Sequence, residues 1–200
     1  TIKAKFGSLI NYSNKFNLYW NNPSRVLVLA DGMVHKPALT HINMIGYYGY
    51  SGNPLTYEAG LPRDLRVLLV DDYYNRVYTA PPQTVQLQST DAAASVPEGT
   101  VPRNVTLTNG RYQSTLTLRT VGNGTQTITA DHPTYIDNTS PAIPVRHTTI
   151  NHFTVEAPTG PVIAGNPFNI TILARDQFGN ICDDTNGGTP YNNVVDLAAN

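Results

Sequence analysis

One stretch of this chain occurs twice, and an internal repeat limits the fold more than any other feature of a sequence. Residues 59–75 read AGLPRDLRVLLVDDYYN and residues 164–180 read AGNPFNITILARDQFGN, aligned without a gap at an offset of 105. Asp71 falls on Asp176, and Asn75 on Asn180. Alternate positions are apolar in both copies (Leu65, Val67, Leu69; Ile170, Ile172, Ala174), the period of a strand with one buried face. Ala-Gly-x-Pro leads each strand out of a turn, and Asp-x-x-x-Asn ends it in another. A strand-and-turn unit that recurs predicts an all-β protein built of β units in tandem.

Fainter echoes set the boundaries. Residues 1–19 resemble 127–145: Thr-Ile-x-Ala opens both, and Ser13, Phe16 and Leu18 fall on Ser140, Ile143 and Val145. Residues 26–29 (VLVL) fall on 152–155 (HFTV), which implies a repeat of about 126 residues. Residues 1–20 are then the terminal strands of a preceding unit, 21–147 a full unit, and 148–200 the incomplete start of another. Within that last segment, 194–198 (VVDLA) corresponds to the strand expected at 84–88 (TVQLQ). Asn109-Gly110 predicts a tight hairpin between strands starting at Val105 and Tyr112. The first full unit also carries about 21 extra residues, an insertion at about 30–58 rich in Gly and Tyr. Its Tyr47, Tyr48, Tyr50 and Tyr57 are candidate interface residues, because a rigid ring buries area while its hydroxyl stays hydrogen-bonded. The other reading is a hairpin folded back on its own unit.

Composition narrows the function classes. Charged residues make up 14% of the chain and the net charge is −1, with no basic cluster to attract nucleic acid. No apolar run approaches the ~20 residues that span a bilayer. The single cysteine, Cys182, falls on Val77 and reads as a small core residue, and alone it makes no internal disulfide. Asp71, Asp176, Asp183 and Asp184 are candidate calcium ligands, since calcium takes several oxygens. Asp and Asn also build turns through their own backbone, which explains the same residues without a metal. The five histidines, His35, His41, His132, His147 and His152, are scattered, with no metal-ligand spacing. No nucleophile, zinc or phosphate-loop motif is present, so the sequence reads as neither an enzyme nor a cofactor protein. Asn11, Asn104, Asn123, Asn138 and Asn169 are N-glycosylation acceptors.

The motif series is Ala-Gly-x-Pro and Asp-x-x-x-Asn around the first strand, then TVQLQSTDA, VTLTNG, TLTLRT, TQTITA and NTSPAIPV. It resembles the tandem immunoglobulin-like repeats, filamin-type and invasin-like, of microbial cell-surface and secreted proteins. The resemblance covers 59–145 and 150–182, is fainter over 1–29, and fails over 30–58. It implies immunoglobulin-like β-sandwiches in an extracellular, surface or envelope location, and it brings no shared catalytic residues. The function expected is a structural segment of a surface layer, stalk or filament, partnered by neighbouring repeats or by copies of itself. Two forms stay open: a piece of a longer array, or copies joined head to tail when residues 1–19 of one complete 148–200 of the next. A different class is also open, an adhesin or carbohydrate-binding accessory module that meets surface glycans through the Tyr-rich insertion.

Overall fold

The structure is a computed structural model and describes residues 3–13, 19–37 and 47–198. Its strands in chain order are β1 (Lys3–Phe6), β2 (Leu9–Tyr12), β3 (Arg25–Ala30), β4 (Val34–His35), β5 (Tyr50–Ser51) and β6 (Tyr57–Glu58). They continue with β7 (Arg63–Val70), β8 (Gln83–Ser89), β9 (Ser95–Val96), β10 (Gly99–Thr100), β11 (Arg103–Leu107) and β12 (Arg111–Leu116). Last come β13 (Gly122–Gln126), β14 (Ile128–Asp131), β15 (Asn138–Thr139), β16 (Ile143–Arg146), β17 (Ile150–Glu156) and β18 (Thr171–Asp176), with one 3-10 turn at Thr185–Gly187. The protein is all-β, and among the described residues no helix is long and apolar enough to cross a membrane.

Two sheets make the body. One runs β12-β7-β3 and the other β11-β8-β14-β15, while β6, β16 and β13 form a smaller third sheet. Period-two alternation does what the sequence predicts: Leu65, Val67, Leu69 and Leu87 are 0% exposed and Val85 1%, all in one core cluster with Leu116, Leu118 and Ile128. Every buried member of that cluster lies between Val26 and Val145. The body therefore closes its core with its own residues, at roughly 25 cal/mol for each Å² of apolar surface removed from water.

The Asn109-Gly110 expectation needs correcting. The tight turn forms, with Thr108 and Arg111 exchanging N–H···O bonds of 2.9 and 3.1 Å and both central residues at positive φ (51° and 65°). Its arms then part: β11 pairs with β8 and β12 with β7. The turn is a corner between two sheets, because each arm finds a longer partner than the other arm offers.

β17 and β18 form a separate two-stranded sheet. Ile170 is 38% exposed and Phe153 38%, and Ile172 and Ala174 are only half-buried, so the apolar face that the repeat predicts is uncovered here. The strand expected at 194–198 is not formed; Val194 is 89% exposed and no neighbouring strand pairs with the segment among the described residues.

Registers refine the repeat. Arg25 pairs with Val70 and Val26 with Leu69, whereas His152 pairs with Arg175 and Phe153 with Ala174. With the second strand of each pair shifted by 105, the first is shifted by 127, one more than the sequence match gives. A one-residue slip would turn every side chain to the other face, so when the two strand pairs are superposed by register Arg25 falls on His152. The hairpin β1–β2 obeys the same arithmetic. Lys3 pairs with Tyr12 and Ala4 with Asn11, as Thr129 pairs with Thr139 and Ala130 with Asn138 in β14–β15. Only the loop is one residue shorter. Phe16 and Leu18 lie outside the described residues.

The insertion folds back on the body. β4 pairs with β5, and β6 runs parallel to β16. Tyr57 is 0% exposed, its hydroxyl accepting from Asp31 N (3.2 Å) and donating to Asp64 O (3.4 Å), and burial pushes its pKa up to about 12. Tyr47 packs edge-on against Tyr74 (5.7 Å) and its hydroxyl donates to Lys36 O; Tyr50 is half-buried against the core. Of the four candidate tyrosines only Tyr48 stands out, 63% exposed and 6.0 Å from Tyr50. Residues 38–46 of the insertion, His41 among them, lie outside the described residues.

Candidate functional site

The repeated Asp-x-x-x-Asn motif builds the same turn at the ends of β7 and β18. Asp71 is 1% exposed, and its Oδ1 takes Tyr73 N (2.9 Å) and Asn75 N (2.8 Å) while Oδ2 takes Asn75 Nδ2 (3.1 Å) and Asn21 N (2.9 Å). Asp176 is 0% exposed and repeats the set with Phe178 N (2.9 Å), Asn180 N (2.9 Å), Asn180 Nδ2 (2.9 Å) and Thr148 N (3.2 Å). Four N–H donors use the four lone-pair sites of a carboxylate. The turn also needs one residue in the left-handed region, Tyr74 (φ 60°) and Gly179 (φ 84°).

These contacts bear on the calcium candidates. Asp71 and Asp176 face N–H groups, whose positive ends repel a cation. Asp183 accepts from Thr185 N (2.9 Å). Burial works against its ionisation, yet the Thr185 hydroxyl and N–H, with nearby His147, hold its carboxyl below the usual range. Asp184 is exposed at the start of the 3-10 turn. No group of three or more His, Cys, Asp or Glu side chains placed to hold a metal gathers among the described residues.

What the second turn does, and the sequence does not announce, is dock. Asn180 accepts from Val121 N at Oδ1 (2.9 Å) and donates from Nδ2 to Arg119 O (2.8 Å). Asn186 reaches Gly122 O (2.6 Å) and Val145 O (2.8 Å) from the 3-10 turn, where its own φ is 54°. All four partners are main-chain atoms of the body. Between them the Phe178 ring lies over Gly60 and 6.0 Å from the Arg119 guanidinium. Gly60 is required twice: its φ is 81°, and a Cβ would stand 2.5 Å from Phe178 Cε2.

The linker is stitched down too. Ala59 N bonds Arg146 O (2.9 Å), Arg146 Nη2 meets Glu58 Oε2 (2.9 Å), and the Thr148 hydroxyl donates to Glu58 Oε1 (3.2 Å). His147 is 7% exposed, its Nδ1 2.5 Å from Thr148 O and its Nε2 2.9 Å from Asp183 O. Trp20, which the repeat places opposite His147, makes the matching stitch: its indole N–H reaches the Thr79 hydroxyl (3.2 Å) and its ring packs on Tyr78 (5.3 Å). A crevice lies beside each linker. One of about 320 Å³ is lined by His147, Thr148, Ile150, Cys182 and Glu58, the other of about 260 Å³ by Trp20, Asn21, Pro23 and Val77. Burial first, then the carboxylates of Asp176 and Asp183, push the Cys182 thiol up, consistent with a small buried residue opposite Val77.

The remaining candidates are spread out. Asn11, Asn104 and Asn169 are exposed, whereas the Asn138 Oδ1 accepts from Val28 N (2.8 Å) and holds β15 against β3. Asn123 lies in β13, and its side chain falls outside the described set. His35 and His132 sit apart in the body, burial lowering the pKa of each below the usual value. No protein-family model and no curated protein sequence matches this chain.

Proposed function

We propose that this chain is a structural spacer: a segment of an extracellular or envelope protein made of immunoglobulin-like sandwiches in tandem, held rigidly end to end. Seven principal strands divided three and four between two antiparallel sheets, with a corner carrying the chain across, suit such a sandwich. The matched registers of β3–β7 with β17–β18, and of β1–β2 with β14–β15, support a tandem arrangement. The observation that carries the reading is the set of four side-chain bonds from Asn180 and Asn186 to the body's main chain. A flexible linker would leave these amides in water. Exchange of strands between copies, residues 1–19 of one completing 148–200 of the next, is the narrower form of this reading, and a monomer mass at all concentrations in light scattering would remove it.

The junction is tested in the full chain. Asn180→Ala with Asn186→Ala is expected to free β17–β18 from the body, giving faster local tumbling of 150–198 by 15N relaxation. Melting of the body should stay within about 1 kcal/mol of the parent, as for changes outside a core. Equal tumbling rates in parent and variant would sink the rigid-spacer reading.

One observation favours a second reading, a carbohydrate-binding module. Tyr48 and Tyr50, tilted by 32°, form a small aromatic platform at the end of the insertion. Glycan-array binding that disappears in Tyr48→Ser, with an unchanged melting temperature, would favour it over the spacer.

A further inference from the structure

Two side-chain amides, Asn180 and Asn186, bond the main chain of the body, and only Asn186 is followed by glycine. We propose that Asn186–Gly187 is a deamidation site which the docked joint shields, and that its conversion makes undocking irreversible. This rests on the reading of a rigid joint and gives that joint a chemical record of having been open.

Deamidation begins when the main-chain nitrogen of the next residue attacks the side-chain carbonyl carbon. Here the Gly187 N–Asn186 Cγ bond forms, the Cγ–Nδ2 bond breaks, and ammonia leaves with the proton that Gly187 N gives up. Water then opens the cyclic imide at either carbonyl, to aspartate or to isoaspartate. In the docked joint both reacting groups are engaged. Asn186 Nδ2 donates to Gly122 O (2.6 Å), in the 119–122 strap of the body, and to Val145 O (2.8 Å), so both of its hydrogens are used. Gly187 N donates to Asp184 O (3.0 Å), which commits the attacking nitrogen elsewhere. Undocking removes the first restraint, and a three-residue 3-10 turn with no buried residue has little of its own to keep the second.

Nothing else guards Gly187: it is exposed, and a Cβ there would meet no atom within 4 Å. The other docking amide differs. Asn180 is followed by Ile181, whose β-branched side chain crowds the nitrogen that would attack. The backbone explains why so labile a pair stands at 186–187. Asn186 and Gly187 lie at φ 54° and 79°, a region that Gly and Asn tolerate best. Once converted, the site has no donor, because a carboxylate offers only acceptors. An oxygen in the place of Nδ2 would face two carbonyl oxygens at 2.6 and 2.8 Å, and turning the group brings only another acceptor. Two bonds become two repulsions, and isoaspartate lengthens the main chain besides.

The full chain tests both halves. Asn186→Asp, one of the two products made directly, should show 150–198 tumbling as a freed segment in 15N relaxation at neutral pH, where in the parent it tumbles with the body. Parent-like relaxation in Asn186→Asp overturns the inference and leaves the rigid joint standing. A parent that already tumbles freely there overturns the two together. For the shield, Phe178→Ala with Asn180→Ala removes the ring over Gly60 and the other docking amide. Both proteins are incubated at mildly alkaline pH and read by peptide mapping, with rates taken relative to Asn109–Gly110, whose asparagine is exposed at the corner turn. Deamidation at Asn186 should run several-fold faster in the variant than in the parent. Equal relative rates in the two overturn the inference.

Discussion

Asp91→Ala should be the most damaging single change in the body, lowering stability by about 3–5 kcal/mol, the scale for stripping the partner from buried polar groups. Asp91 is 1% exposed and ties its own loop to the 119–120 segment. Its carboxylate accepts from Ala93 N (2.9 Å), Arg119 N (2.6 Å), Thr120 N (3.0 Å) and the Thr120 hydroxyl (2.8 Å). Alanine would orphan all four donors in the segment that leads from Leu118 to the 119–122 strap. Thermal unfolding of the full chain should show a fall of roughly 10–20 °C. The same carboxylate gives a signed pH effect. Burial raises its pKa, but the bonds from Arg119, Thr120 and Ala93 outweigh burial and hold it below the ordinary carboxylate value. A group whose folded pKa is depressed contributes in full above its unfolded pKa, about 3.9. That contribution fades as pH falls below this value and passes the folded one. Asp91→Asn should abolish this part of the acid transition; an unchanged acid limb would show that Asp91 is not its source.

Leu65→Ala and Ile170→Ala occupy one position of the repeat and should differ several-fold in cost. Leu65 is 0% exposed between the two sheets of the body, and its truncation should cost about 2–5 kcal/mol, as for large buried aliphatics. Ile170 is 38% exposed beside β18 and leaves no comparable cavity, so its truncation should cost less than about 1 kcal/mol. Chemical denaturation of each variant decides the matter. Equal losses would mean that the second unit has a closed core in solution.

That pair shows what the sequence could and could not announce. Apolar alternation located the strands at 65–69 and 84–88 and the inward side of each, because period two is a property of the strand itself. Burial is a property of what covers it, and the letters of 170–174 are as apolar as those of 65–69 while their surroundings differ. Asn109-Gly110 was legible as a turn because both residues tolerate positive φ, but not as a corner, since which strand each arm joins depends on partners far away in the chain. The Asp and Asn of each repeat were legible as turn residues. The docking of Asn180 and Asn186 was not, because a bond to main-chain carbonyls leaves no pattern in the sequence of the strap that receives it. Phe178 over Gly60 carries a faint signal, a glycine where a ring must pass. The tyrosines of the insertion read equally as a contact surface or as a hairpin folded back on its own unit; Tyr47, Tyr50 and Tyr57 turn inward because the body offers them Tyr74, the core and the Asp31 and Asp64 backbone.

A joint made to main-chain atoms has a consequence for how such a molecule can vary. Arg119, Val121, Gly122 and Val145 offer Asn180 and Asn186 only groups that almost every amino acid carries. The joint itself asks nothing of their side chains, although Val145 is held by the core in which it is buried and Gly122 by Thr125, which a Cβ there would meet at 2.7 Å. Few positions are held: the two amides, the aspartate that aims one of them, and the glycine under the ring. Under the spacer proposal, units of unrelated outward character could then be shuffled along one rod, like beads of different colours cut to a common thread.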